Sequence, residues 1–590
     1  MNLEPQSAWI SHESGFDSVD GTRLFYRGWQ PAAERADGPR RALVFLHRGH
    51  EHSGRIAPLV EQFGFTQDWA FACDARGHGH SPGERGAAPG FHSLVEDFNA
   101  FIEHIERRHG IAPEHMVIVA NSVGAVIAAT WLHDYAPRVR GVIMAAAAFE
   151  IKLYVPLAKP ALRLATRFKP DLAVTSYIRS SMLTHSVEQA AAYDSDPLIA
   201  KSISARVLLE LADTARRVVQ DAAAIDTPIL MLAADKDYVV SLKPQQTFFE
   251  RLSSPLKRYV LLKDCFHAVY YERDTGVALQ ASRDFIIECF RRELAPLQHY
   301  ADADRHSHSA RRYQAMRQGQ SGGALAKVGF RLQKAMLGML GPLSDGMQIG
   351  LTHGFDSGAS LDYVYRNRAG GRLFIGALID RGYLDAVGWR GIRLRKVQLQ
   401  NSLAALIGQH QGERPLRILD VAAGGARYVL ETVKRFQNKP IELTVRDFAE
   451  HNLEQARQLA AQLALSASVT FELRDAFDTD SYASQESGYD IVIVSGLYEL
   501  FSDNAMVLRS LHGIARALRR GGHLIYTAQP WHPQLDMIAQ TLDNHVGAPW
   551  IMRPRPQAEM DALVASAGCR KVGTQIGLEA IFSVSVAQKI

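Results

Sequence analysis

The sequence predicts an α/β protein of two successive domains, and three features lead there. Over residues 20–300, short β-branched runs alternate with helical patterns: ALVFLH (42–47), AFACD (70–74), MVIVA (116–120), GVIMAA (141–146) and PILMLAA (228–234). Each run is almost continuously apolar, as parallel strands covered by helices on both faces require. A second alternation starts near 415, with LRILDVA (416–422), IELTVRD (441–447), VTFELRD (469–475), YDIVIVSG (489–496) and GHLIYTAQ (522–529). Between the two lies HYADADRHSHSARRYQAMRQGQSGG (299–323), polar and closed by Gly-Gly, which reads as a linker.

Bulk properties narrow the function. The 590 residues suit two or three domains, and 47% hydrophobic with 22% charged residues is ordinary globular composition. A formal charge of +4, from 66 basic against 62 acidic residues, gives no basis for nucleic-acid binding. The four cysteines (Cys73, Cys265, Cys289, Cys569) form no CxxC pair, so neither a disulfide framework nor a metal site is expected. The N-terminus lacks a charged start followed by an apolar run, and no apolar stretch reaches 18 residues. The expectation is a cytoplasmic protein without a transmembrane segment.

The first domain is expected over 1–298. Within it, about 150–225 is helical, with Pro156, Pro160, Pro170 and Pro197, and reads as a lid inserted after a mid-sheet strand. A linker and connecting helix follow over 299–345. In LAKVGFRLQKAMLGML, Leu325, Val328, Leu332, Met336, Met339 and Leu340 share one helical face, away from Lys327, Arg331 and Lys334. Packing between domains is the preferred reading; peripheral contact with the inner face of a membrane is the other. The second domain is expected over 346–590.

VIVANSVGAVIAA carries the first chemistry. A strand runs to Ala120, and Asn121-Ser122-Val123-Gly124 turns into a helix, a tight turn that lifts the serine hydroxyl above the sheet. A serine needs a base, and the base an orienter. LAADKDYVV places Asp235 and Asp237 after a strand, Asp237 being preferred as the acid, and CFHAVYYE supplies His267. The order Ser122, Asp237, His267 is the serine–acid–histidine order of α/β-hydrolases.

FLHRGHEHSGR, DARGHGHSPGERG, the serine turn and the Asp and His loops resemble monoacylglycerol lipases and lysophospholipases over about 20–295. The resemblance implies an α/β-hydrolase fold with a helical lid, a lipid-like ester substrate, and an oxyanion site formed by the amides of Gly49 and Val123. Arg48 and His50 stand where that family has glycines. Arg48 either brings positive charge near a phosphate-bearing substrate or points to solvent. Asp74, Arg76 and Gly77 are expected to shape the neighbouring loop.

In the second domain, RILDVAAGGARYVLETV is a strand ending near Asp420, a small-residue loop (Ala422, Ala423, Gly424, Gly425, Ala426) and a helix, which permits close approach of a nucleoside cofactor. Asp447 ends the next strand, where an acid can accept from ribose hydroxyls. Asp475 and Phe477 follow the third, placed for adenine. Together these segments resemble the class I S-adenosylmethionine-dependent methyltransferases, with a Rossmann-like fold, over about 410–590. The resemblance implies S-adenosyl-L-methionine as cofactor, held by Asp420, Ala422, Gly424, Gly425, Asp447, Phe448, Asp475, Ala476 and Phe477. The methyl acceptor stays unknown; Trp531 and His532 are candidates for its pocket. Tyr363, Tyr365, Arg366 and Arg393 either cover the cofactor, bind an anionic acceptor or serve structure.

The leading expectation is thus a bifunctional enzyme, a serine ester hydrolase joined to a methyltransferase. The alternatives are an acyltransferase or thioesterase in the first half, or one half that only binds.

Overall fold

The computed structural model describes residues 8–294, 300–320, 322–412, 414–482 and 488–590. The chain divides into two compact units, Met1–Leu294 and Ala295–Ile590. The boundary expected at 298/299 lies outside the described residues.

Among the described residues the first unit has ten strands: β1 (Trp9–Asp17), β2 (Arg23–Pro31), β3 (Ala42–Leu46), β4 (Trp69–Cys73), β5 (Met116–Asn121), β6 (Gly141–Ala145), β7 (Ala173–Thr175), β8 (Ser202–Ser204), β9 (Ile229–Ala234) and β10 (Lys257–Leu262). Eight form one sheet in the order β1-β2-β4-β3-β5-β6-β9-β10. From β4 to β10 all pairs are parallel, while β1, β2 and β4 pair antiparallel. Helices explain the continuous apolar runs. Phe45, Val117, Val119, Leu230 and Leu232 pack in one cluster with Phe63 and Phe285 from the helices Ala57–Phe63 and Gly276–Arg291. The alternate residues Val44, Ile118 and Val142 are equally buried on the opposite face.

The insertion after β6 holds the helices Ala158–Phe168, Val187–Ser195 and Ala205–Gln220 and the small β7–β8 hairpin. Its first helix buries no residue, and Tyr154, Val155, Leu157, Leu164 and Phe168 are exposed.

The second unit has β11 (Leu416–Val421), β12 (Ile441–Asp447), β13 (Ser468–Leu473), β14 (Tyr489–Val494), β15 (Leu518–Ala528), β16 (Cys569–Ile576) and β17 (Ser583–Lys589), in the order β13-β12-β11-β14-β15-β17-β16. The first five are parallel; β17 is antiparallel to both β15 and β16. The strand order reverses between β11 and β14, which opens a crevice at the carboxyl ends of those strands. This is a Rossmann-like sheet.

One expectation needs correction. The polar stretch 299–323 is no plain linker: the helices Ala303–His306 and His308–Arg317 lie within it, and Met316 is buried with Leu535, Ile538 and Met552. A few apolar side chains spaced along a polar helix suffice to dock it. In the helix Ala324–Leu340 of the second unit, Leu325 is 91% exposed, Val328 62% and Met339 70%. Among the described residues, no helix is long and apolar enough to cross a membrane.

Candidate active sites

In the first unit β5 delivers the chain into Ser122, which takes φ 53° and ψ −110° before the helix Val123–Tyr135 begins. Such a backbone is costly for a residue with a side chain and persists only where surroundings hold it. Here the Ser122 amide donates to the Ala145 carbonyl (2.8 Å), and the Ser122 carbonyl accepts from the Ala125 and Ala148 amides. Gly124 must be small. A Cβ there would stand 2.8 Å from the His47 carbonyl oxygen and 2.9 Å from Leu46 Cβ.

The hydroxyl of Ser122 lies 2.9 Å from His267 Nε2, and His267 Nδ1 lies 2.8 Å from Asp237 Oδ2. All three side chains are buried. The other carboxylate oxygen of Asp237 accepts from the amides of Val239 (2.7 Å) and Val240 (2.9 Å). Burial pushes the Asp237 carboxyl up, but the His267 imidazole and the two amides outweigh it and hold the group below its ordinary value. Asp235, the other candidate acid, accepts instead from the Cys265 amide at 3.3 Å.

Gly49 lies against the serine turn: a Cβ on it would come within 3.2 Å of Val123 Cγ2. His50, at a family glycine position, has φ 69°, the left-handed region glycine favours. Its carbonyl accepts from the Ala200 amide, and His52 Nε2 meets Asp196 at 2.8 Å. The Ala268 amide donates to Leu183. The insertion therefore bonds both the loop after β3 and the loop of His267, which places it over the serine.

Of the two roles expected for Arg48, pointing to solvent is not the one found. It is buried, and Glu51 Oε1 accepts from its Nε (3.0 Å) and one terminal nitrogen (2.6 Å), with the Tyr271 ring 5.3 Å away. A cation in a dry site needs a partner, and Glu51 is in reach. Asp74, Arg76 and Gly77 do shape the loop. Asp74 accepts from the Ser53 and His80 amides, Arg76 pairs with Asp97 and Asp20, and Gly77 has φ 70°.

In the second unit Ala422, Gly424 and Ala426 after β11 all have φ between 50° and 56°. The Asp447 carboxylate holds this loop by accepting from the Gly424 amide (2.8 Å); it also accepts from the Ala449 amide and the Asn452 side chain. No heavy atom lies within 4 Å of where a Cβ on Gly424 would stand, so the loop backbone faces open space, and only Gln455 Oε1 (3.7 Å) approaches that position on Gly425. Phe448 is 70% exposed, Asp475 is exposed, and Phe477 packs edge-on against Phe501. Ala476 is buried, its carbonyl accepting from Tyr482. An open glycine loop, an exposed ring and an exposed acid at successive strand ends fit an adenosyl group.

Asp420 does not face that opening. It is fully buried, accepts from the Tyr428 hydroxyl, and burial pushes its carboxyl up to about 8. Tyr363, Arg366 and Arg393 are engaged within the fold, donating to Asp380, Asp362 and the Leu384 carbonyl, and Tyr365 lies under the Lys396 ammonium, 5.5 Å from its ring centroid. His532 lines an apolar cavity; Trp531 is not among its lining residues. Among the described residues, no cluster of His, Cys, Asp and Glu could hold a metal ion.

Residues 37–274 match the family model "Serine aminopeptidase, S33", and residues 282–589 match the model "Putative methyltransferase". "Uncharacterized protein YnbC" of Escherichia coli strain K12 is 40% identical over 586 residues, 99% of each chain. The monoacylglycerol lipase of Mycolicibacterium smegmatis is 24% identical over 277 residues, 47% of this chain and 96% of that protein. The human monoglyceride lipase is 26% identical over 281 residues, 45% of this chain and 87% of that protein. With the second model spanning more than half of its length, the chain belongs to that methyltransferase family, as a fusion that carries an α/β-hydrolase half of the serine hydrolase type ahead of it.

Proposed function

We propose that the first unit hydrolyses carboxylic esters of lipid type, with Ser122 as nucleophile, His267 as base and Asp237 as its orienter. The continuous hydrogen-bonded relay from Ser122 through His267 to Asp237 carries this reading. The Ser122 oxygen attacks the ester carbonyl as its proton passes to His267 Nε2. The imidazolium is held by Asp237, and the carbonyl oxygen turns toward the amides of Gly49 and Val123. His267 then protonates the leaving alcohol, and water releases the acid by the same route. Monoacylglycerols are the preferred substrates. The names of similar proteins point to them. Lysophospholipids are the comparison class. The exposed apolar residues of the insertion are suited to meeting an acyl chain.

The second unit is proposed to bind S-adenosyl-L-methionine at the loop Ala422–Ala426, with Asp447, Phe448, Asp475, Ala476 and Phe477 around it. Bound there, the cofactor supplies an electrophilic methyl group on a sulfonium sulfur. The chain's own part is alignment and exclusion of water. The exposed face Leu325–Met339, with Phe374, Ile375 and Leu378 also exposed, is proposed to rest on a lipid surface.

A panel of monoacylglycerols and lysophospholipids of varied chain length tests the hydrolase. Turnover lost in Ser122→Ala is expected, with glycerides ahead. Turnover surviving that substitution would remove Ser122 from the mechanism, and no turnover by the folded wild type would return the first half to acyl transfer or binding.

A further inference from the structure

A cavity of about 490 Å³ lies in the second unit. Leu337, Phe355, Ile538 and Phe582 line it with Trp389 and Trp550, whose rings lie nearly parallel with centroids 6.4 Å apart. It reaches Gly496, two residues past the end of β14, and Gln529, one past β15. It therefore opens beside the crevice where the strand order reverses.

Two polar side chains in this apolar wall, Gln529 and His532, are each only 3% exposed. The Gln529 side-chain amide makes no hydrogen bond among the described residues, and it is not closed off from the void. His532 Nδ1 accepts from the Gln534 amide at 3.0 Å, which puts the ring proton on Nε2. That Nε2–H has no partner among the described residues either. It lies beside Gly388, another lining residue, where a Cβ would stand 3.0 Å from it. Burial, with the Arg312 charge adding to it, pushes the His532 pKa down to about 4, so the ring is neutral. A buried polar group left unpaired costs about 1–3 kcal/mol, so both side chains call for a ligand.

The other titratable groups along this wall offer no base. Glu499 engages one carboxylate oxygen with the Thr527 hydroxyl (2.8 Å), and its other oxygen is closed off from the void. Asp356 accepts from the His545 amide (2.7 Å), and its second oxygen lies 2.8 Å from His545 Nδ1. The Tyr383 hydroxyl is closed off, and Arg395 is a cation. A hydroxyl or an ammonium must give up a proton to take a methyl group, and nothing here receives it. A carboxylate needs no base, and it accepts from both donors.

We infer that this cavity takes the methyl acceptor, and that the acceptor is a carboxylate on an apolar chain, held by His532 Nε2 and the Gln529 amide. The inference rests on the methyltransferase reading for the reaction, though not for the binding. The aromatic and aliphatic walls bury the chain. With the donors on one carboxylate oxygen, a lone pair of the other forms the bond to the methyl carbon. The carbon–sulfur bond breaks with its electron pair left on sulfur. A neutral methyl ester and a neutral thioether result, and no proton moves. The Arg395 guanidinium lines the same wall, 4.6 Å from the Phe582 ring centroid and 3.6 Å from Glu499 Oε1, and offsets the entering charge. A carboxylate of this kind is also what the ester hydrolysis proposed for the first unit releases, which makes methylation the step that consumes its product.

Calorimetric titration of the full chain with decanoate, decanamide and 1-decanol, without cofactor, tests the pocket. The wild type is expected to bind decanoate at least about tenfold more tightly than the other two, because hydrogen bonds to an ionised group are the stronger ones. Gln529→Leu removes an amide that bonds nothing in the fold. Decanoate should weaken about tenfold, with 1-decanol within about threefold and the Tm retained. Gly388→Ala sets a methyl group 3.0 Å from His532 Nε2 and should have the same effect without touching the histidine. Binding to the first unit is common to all variants and cancels in the comparison. Equal affinity of decanoate and 1-decanol for the wild type, or decanoate affinity unchanged in both variants, would overturn the inference. Binding of S-adenosylmethionine and transfer of its labelled methyl to decanoate are scored separately. Failure of S-adenosylmethionine to bind would refute the methyltransferase reading and leave the carboxylate pocket standing. Binding of both without methyl decanoate would overturn the acceptor role.

Discussion

Replacing Asp237 by asparagine isolates the relay from the fold. One carboxylate oxygen of Asp237 accepts from two backbone amides, at 2.7 and 2.9 Å. Asparagine keeps an acceptor for those amides only by placing its own carbonyl oxygen there. Its NH2 then faces His267 Nδ1 in place of an acceptor 2.8 Å away. The imidazole must present a lone pair at Nδ1, so its proton moves to Nε2, the atom that faces the Ser122 hydroxyl. A base with its proton on the wrong nitrogen cannot take the serine's. The corresponding change in serine hydrolases lowers kcat by about ten-thousandfold, and at 1.36 kcal/mol per tenfold that is about 5.4 kcal/mol of barrier. The assay is kcat and KM for a monoacylglycerol. KM is expected to hold while kcat falls, and Tm should change little, since the backbone contacts are retained. Asp235→Asn is the control, because Asp235 holds only the Cys265 amide, at 3.3 Å; its kcat should stay within about threefold. A loss below tenfold in Asp237→Asn, or an equal loss in Asp235→Asn, would refute the assignment.

Two further outcomes follow from the same contacts. Gly124→Ala puts a Cβ against the His47 carbonyl and Leu46, which shifts the strand end that leads to Gly49. The loss of one well-placed oxyanion donor, on the order of a hundredfold in kcat, is expected alongside a modest fall in Tm; full activity would remove Gly49 from that role. Asp420, raised to about 8, keeps its proton in the folded chain after the unfolded chain has released it. Its contribution to stability is present below the ordinary carboxyl range and is lost as pH rises from about 4 to about 8, a slope that Asp420→Asn should flatten when the Tm of the second unit is followed over that range. An unchanged slope would show that the carboxyl ionises freely.

Ten strands are legible because parallel strands between helix layers leave apolar runs that depend on local composition alone. β1 has a single buried residue, β2 alternates buried with less buried ones over most of its length, and β10 lies at a sheet edge with half-exposed side chains. Their signal is therefore weaker, and they are found only in three dimensions. The triad was legible for a related reason. The serine turn, the acid loop and the histidine loop each follow a recognisable local pattern, and chain order in a parallel sheet dictates that they meet at one edge.

By itself the sequence determined the two α/β halves, the serine turn, the residues proposed as nucleophile and base, and the glycine loop after β11. Tertiary structure alone decided which of two aspartates meets His267, since both sit on one loop and a single bond direction separates them. It also removed the solvent-facing reading of Arg48, whose burial against Glu51 no local pattern shows. Asp420 went the same way, a strand-end acid turned inward onto Tyr428. Desolvation of that kind exists only once the chain has folded around a side chain, so no local pattern in the sequence announces it.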